Sequence, residues 1–177
     1  MITNTSKSII ILITFLCTYS TSSFSKEPAR VIAGWVEKVR IEYQAYDIKA
    51  KLDTGAKTSS IHAIKIKPFK KDGKRWVKFT LLLKDSKGTQ HKLYFEKPRS
   101  RKANIKNHNG KHDPRYVVNL DLCFNGRKYV TEFTLADRSE YIYDVLLGRQ
   151  FLKRVAVIDP NDTFLTLSSC EAQSNQF

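Results

Sequence analysis

The run Lys51-Leu52-Asp53-Thr54-Gly55-Ala56 puts a carboxylate at the end of an alternating apolar stretch and follows it with a hydroxyl and a glycine. That order is compatible with a tight turn that presents the Asp53 carboxylate. Gly55 permits close backbone approach or a positive φ, and the Thr54 hydroxyl can hydrogen-bond across the turn. A carboxylate held this way can move protons as a general acid or base. The plainer reading is an aspartate that caps its own loop, which is common. A second signal lies far downstream, in Val145-Leu146-Leu147-Gly148-Arg149. Asp-Thr-Gly occurs only once in the chain. Hydrolysis by paired carboxylates needs two such aspartates, so two chains would have to meet to make one site.

The elements that must position these residues read mostly as strands. Ile48, Ala50 and Leu52 alternate with Lys49, Lys51 and Asp53, which predicts a half-buried strand with Asp53 at its end. Ile64 and Ile66 alternate with Lys65 and Lys67, and a turn follows at 71–74. Val77, Phe79, Leu81 and Leu83 mark the core face of the next strand. A turn at 85–88 leads to a short strand around Leu93 and Phe95. Residues 97–115 are basic and polar, with Ile105 almost the only aliphatic before the next strand. Asn109-Gly110 is a hairpin-tip signal, so this stretch is expected to be an exposed, mobile loop or β-flap. Val118, Leu120, Leu122 and Phe124, the turn at Asn125-Gly126, and Tyr129, Thr131, Phe133 and Leu135 form the clearest hairpin. Residues 144–153 are the best helical candidate, weakened by Gly148. A short buried strand is expected over 155–158, a turn over 159–162 and a last strand over 164–167.

Composition and charge bound the partners. The chain has 177 residues, 41% of them apolar, enough for one domain with a single core. Residues 1–25 read as a signal peptide. Lys7 supplies a basic start, residues 9–16 are almost wholly apolar, and Ser23 and Ser25 offer small residues for cleavage before Lys26. The expected protein is therefore exported, periplasmic, and spans 26–177 as one domain. The apolar run is short for a membrane span, so no stable insertion is expected; an uncleaved anchor is the alternative. The formal net charge of +14 favours acidic partners, although a solvated basic face would carry the same charge. Residues 97–115 lack the interleaved aromatics that single-strand binders use, and export argues against nucleic acid as a partner. Cys123 and Cys170 remain in the mature chain, and export would allow them to pair. The sequence leaves pairing and two free thiols both open.

In order and topology, residues 35–167 resemble the retropepsin-like aspartic proteases. The resemblance is closer to one bacterial branch, which shares Lys51 through Ser60, Arg115-Tyr116-Val117-Val118, Leu146 through Leu152 and Asp159-Pro160. Members of that branch are often labelled ATP-dependent zinc proteases and are linked with enzymes that add glutamates to proteins. The label finds no residues here. No Gly-rich phosphate loop ending in Gly-Lys-Ser/Thr is present. The four histidines, His62, His91, His108 and His112, do not form a zinc-protease pair flanking a glutamate. No metal and no cofactor are expected.

The resemblance implies an all-β fold: a closed, retropepsin-like (acid protease) β-barrel with one short C-terminal helix. It implies a homodimeric aspartic endopeptidase in which Asp53 is catalytic. Thr54, Gly55, Ala56, Gly148 and Arg149 would support the catalytic loop. Residues 97–115 would fall where the flap covers substrate. Viral members carry an acid two places after the motif glycine, paired with the late arginine. Here that place is Lys57, so Arg149 loses its expected partner, and Asp144 is one candidate replacement. With Thr58, Lys57 would face substrate, joined by Arg99, Arg101, Lys102 and Lys106 of the flap. This basic set suggests acidic or glutamylated peptides as substrates. The alternative is a catalytically inactive peptide-binding module on the same fold.

Overall fold

The computed structural model describes residues 29–106 and 112–170. The signal-peptide reading and the hairpin tip at Asn109-Gly110 lie outside them. Ten strands and one helix follow in the order β1 (Val31–Ile41), β2 (Ile48–Asp53), β3 (Ser59–Lys71), β4 (Lys74–Lys84), β5 (Gln90–Pro98), β6 (Arg101–Lys106), β7 (His112–Phe124), β8 (Arg127–Ala136), β9 (Val145–Gly148), α1 (Arg149–Val155) and β10 (Ala156–Thr163). Strands β1, β2, β9, β3, β8 and β7 are neighbours in that order. The ring closes because Arg40 and Ile41 of β1 pair with Cys123 and Leu122 of β7. The result is the closed barrel that the resemblance implied. Strand β10 runs parallel to β1 outside the ring. Strand β6 extends β7, and the outer half of β3 carries β4 and β5.

Period-two patterning explains the closure. On β2, Ile48, Ala50 and Leu52 are buried, so Lys51 and Asp53 point the other way. The same rule buries Ile61 of β3, Leu120, Leu122 and Phe124 of β7, Phe133 and Leu135 of β8, and Val145 and Leu147 of β9. Val77, Phe79, Leu81 and Leu83 of β4 are buried as expected. The β7–β8 hairpin turns at Asn125 and Gly126, both at positive φ (47° and 71°), which matches the right-handed strand twist. Phe124 and Tyr129 pack edge-on against Phe151 of α1.

Two expectations shift. The helix expected over 144–153 begins only at Arg149, because residues 145–148 pair with β2 and β3 as a strand. Val155 closes that helix, and the strand after it runs through the expected turn to Thr163, leaving 164–167 outside any strand. Of the two forms expected for 97–115, a loop or a β-flap, the strand pairing fits the second: residues 101–106 of β6 match 112–117 of β7 in register.

The segment after β10 is tied to the barrel twice. Cys123 and Cys170 form a disulfide, with Cα atoms 5.7 Å apart and a sequence separation of 47. Glu37 of β1 is wholly buried and accepts hydrogen bonds from the backbone N–H groups of Gly34 (2.6 Å), Leu165 (3.0 Å) and Thr166 (3.1 Å) and from the Thr166 hydroxyl (2.8 Å). Closing a loop of this length restricts the unfolded chain, so Cys170→Ser is expected to cost about 2–4 kcal/mol. Thermal unfolding in non-reducing buffer checks this. Adding a reductant should lower the wild-type midpoint to that of the variant and leave the variant unmoved. None of the described helices is long and apolar enough to cross a membrane.

Candidate active site

Strands β2 and β9 lie side by side and parallel, with Asp53 opposite Gly148. Both motifs of the sequence therefore meet at one end of the barrel. Beyond Asp53 the chain turns back on itself, and Asp53 Oδ1 accepts from the backbone N–H groups of Gly55 (2.8 Å) and Ala56 (3.1 Å). Its other oxygen, Oδ2, lies 3.5 Å from Lys51 Nζ, and the Asp53 side chain stays 25% exposed. The carboxylate is thus fixed through one oxygen and presented through the other. The Lys51 contact is half exposed, and a pair of that kind contributes little stability.

Gly148 and Arg149 hold this turn from below. A Cβ at Gly148 would stand 2.6 Å from the Thr58 carbonyl carbon, so only glycine lets β9 approach the loop. The Gly148 N–H donates to Ser59 Oγ (3.1 Å). The first N–H groups of α1, which have no intrahelical partner, donate to the loop instead: Arg149 to Ala56 O (2.9 Å) and Gln150 to Lys57 O (3.0 Å). Arg149 Nη1 donates to the carbonyls of Thr54 (2.6 Å) and Gly55 (2.8 Å). Main-chain oxygens therefore take the place of the acid that Lys57 displaces. Asp144 serves elsewhere, accepting from the Lys84 N–H (2.6 Å). One guanidinium nitrogen spans both carbonyls, and a shorter, flexible lysine lacks the planar, rigid group that holds that nitrogen in place. Arg149→Lys is expected to lower turnover about 10-fold or more by loosening the Asp53 turn, with a smaller change in KM; steady-state kinetics on one peptide checks it.

Thr54, Gly55 and Lys57 are exposed in the single chain, and Ala56 and Thr58 are half-buried. Among the flap residues, Arg101 is committed to the barrel. Its Nε and Nη2 both reach Glu132 Oε2 (2.9 and 2.8 Å), and Ser100 Oγ donates to Glu132 Oε1. Burial acts to raise the Glu132 pKa, but the bonds from Arg101 and Ser100 win and hold it below the usual range. Arg99 and Lys102 lie over the Tyr116 ring at 5.6 and 5.4 Å. The backbone of Lys106 is in register with that of His112 at the outer end of β6.

Several residues with no role in the sequence reading share the site's face. The strand register runs Lys51–Leu146–Ser60–Thr134–Val117 across β2, β9, β3, β8 and β7. Directly opposed residues point to the same side of a sheet, here the side of Asp53. Next along this face come His62 and Ala136, which are opposed on β3 and β8. The loop that follows β8 carries Arg138. Its N–H donates to His62 Nδ1 (2.8 Å) and its Nε to the Tyr143 carbonyl (3.0 Å). Arg138 is only 6% exposed, and burial pulls its pKa down, against the attraction of Asp144 and Asp53. Alternation from Leu52 was enough to place Lys51 on this face. Nothing local marks the loop at 137–144. Among the described residues, no three His, Cys, Asp or Glu side chains gather as a metal cluster; His108 lies outside them.

A closed barrel with an Asp-Thr-Gly turn braced by a late Gly-Arg defines the retropepsin-like class. Residues 32–168 match the model of a family described as RimB-like, retropepsin-like aspartic endopeptidase RimB, and the chain belongs to that family. A Shewanella pealeana protein named "Probable alpha-L-glutamate ligase" is 38% identical over 118 residues, 66% of this chain and 25% of that protein. A protein of the same name from Desulfotalea psychrophila is 38% identical over 114 residues, 64% of this chain and 24% of its own. The chain thus spans about a quarter of the length of the curated relatives it matches. The crystal structure of a Legionella pneumophila protein of unknown function superposes with a TM-score of 0.65 at 31% identity, covering 78% of this chain and all of that one.

Proposed function

We propose that this protein is an exported, homodimeric aspartic endopeptidase that cleaves acidic or glutamylated peptides. The observation that carries the reading is the Asp53 turn, with one oxygen anchored by two N–H groups, the other presented, and the turn itself braced by Arg149. A chain with one such turn supplies half of a dyad, and an isologous dimer supplies the other half. Two close carboxylates cannot both ionise cheaply, so they share one proton and titrate as a unit. The ionised member takes a proton from water while the water oxygen bonds to the peptide carbonyl carbon. The protonated member supports the developing oxyanion. The C–N bond then breaks as the nitrogen gains a proton. Thr54 and Gly55, exposed in one chain, would be covered by the partner's turn.

The preference for acidic peptides is supported by the net charge of +14 and by Lys57 at the motif. It is also supported by relatives whose names concern the ligation of glutamate. Solution mass and peptide cleavage of the chain from Lys26 onward test the proposal, with Asp53→Asn beside it. Cleavage that survives this change but dies with a chelator would overturn the aspartic reading. An inactive monomer would favour a peptide-binding module, and equal cleavage of acidic and basic peptide libraries would remove the substrate class.

A further inference from the structure

We infer that the sheet face beside Asp53 holds a carboxylate-recognition subsite, floored by Leu146 and Ser60 and ended by the Arg138 guanidinium, which takes an acidic side chain of the bound peptide. The inference rests on the peptide-cleaving reading above and names the residues that select the substrate.

The strand register supplies the geometry. Leu146 and Ser60 are opposed on β9 and β3, in the row that begins at Lys51. Asp53 lies on one side of that row, two residues beyond Lys51. His62 and Ala136 lie on the other side, and Arg138 follows two residues after Ala136. A side chain laid across Leu146 and Ser60 from the scissile bond at Asp53 therefore runs toward Arg138.

Two independent features of that path call for a ligand oxygen. The first is Ser60. Its hydroxyl is buried with no hydrogen-bond partner among the described residues. A buried polar atom left unpaired is costly and uncommon, and a hydroxyl can rotate to meet an arriving acceptor. The second is Arg138. It is more than nine-tenths buried, and among the described residues no carboxylate pairs with it. Its backbone bond to His62 and its Nε bond to Tyr143 fix its direction, and the Tyr141 ring covers it at 4.7 Å. A guanidinium removed from water with no carboxylate in direct contact is unfavourable, and a carboxylate arriving with substrate would supply that contact through a charge-assisted fork. Arg115, on the same strand face as Val117, adds positive charge nearby, but it is already held by Asp113 at 2.7 Å. Of these two cations, Arg138 is the one that no acid among the described residues holds.

The test compares a tetraglutamate peptide with its tetraglutamine isostere, first as substrates and then as ligands of the Asp53→Asn full-length chain. The wild type is expected to favour the acidic peptide by about 10-fold or more, since a site built for a charged partner rejects its neutral isostere strongly. Arg138→Gln should bring the ratio of kcat/KM values toward unity. Because Arg138 is buried, Arg138→Lys and Ser60→Ala accompany it; each should lower the same ratio several-fold in a chain shown to be folded by its circular dichroism. An unchanged ratio in the folded variants overturns the inference. If the wild type cleaves neither peptide, the cleavage proposal fails while binding by the Asp53→Asn chain still decides the subsite. Preference for tetraglutamate that Arg138→Lys and Ser60→Ala weaken supports it, and equal binding of the two peptides overturns it.

Discussion

The Asp53→Asn chain is expected to lose about 10⁴-fold in kcat/KM, because in the proposed dimer one substitution removes both members of the dyad. The fold should survive. The substituted carboxamide keeps an oxygen that can accept from the Gly55 and Ala56 N–H groups, and the braces from Arg149 run to main-chain carbonyls rather than to the carboxylate. The informative measurement is a mixing series. When wild-type and Asp53→Asn chains are combined in equal amounts and allowed to exchange, random pairing leaves about a quarter of the dimers with two aspartates. If the dyad is shared, activity relative to an all-wild-type sample of the same total concentration falls to about a quarter. If each chain works alone, it falls to about half. The two outcomes differ enough for an endpoint assay, and the second would refute the shared site even if Asp53 proved essential.

The largest effect on stability should come from Glu37. Its carboxylate is wholly buried and accepts four bonds, three of which join β1 to the segment after β10. Glu37→Leu leaves three backbone N–H groups and a hydroxyl without acceptors, which is expected to cost about 3–5 kcal/mol. Glu37→Gln keeps one carbonyl oxygen and should cost about 1–2 kcal/mol. Urea unfolding at constant protein concentration measures both. The disulfide anchors the same segment a few residues on, at Cys170. Glu37→Leu and Cys170→Ser should therefore not add: once one anchor is gone, the segment is already partly released, and the second loss costs less.

Much of this protein is legible in local patterning. Alternation put Leu52 in the core and so Asp53 at a presented strand end. It also marked β4 and the β7–β8 hairpin, whose Asn125-Gly126 turn carries its own conformational signal. These features depend on residues close in sequence, and their physics is that of strand pleat and turn geometry. Strand β1 escaped this reading, for Gly34 and the buried Glu37 interrupt its apolar rhythm. The stretch at 145–148 reads as part of the helix that follows it because four residues carry no period of their own. Only parallel pairing with β2 makes it a strand.

The same division runs through the site. Asp53, Gly148 and Arg149 stand out as motifs, and their types alone suggest the chemistry and the second chain of the proposed function. The partner of Arg149 could not be read, since the residue at the expected acid's place is Lys57 and the structure answers with backbone carbonyls that every residue possesses. Nor could Ser60, His62 and Arg138. His62 and Arg138 stand 76 positions apart in the chain, and they meet only because β3 and β8 pair in parallel. Residue order alone shows a single strand-borne aspartate, a succession of alternating strands and a basic composition, while the closed barrel was implied only by the family resemblance. The tertiary structure decided that Arg138, of the many cations, is buried near that aspartate with no acid paired to it among the described residues, because burial and counter-charge are set by register between strands distant in the chain.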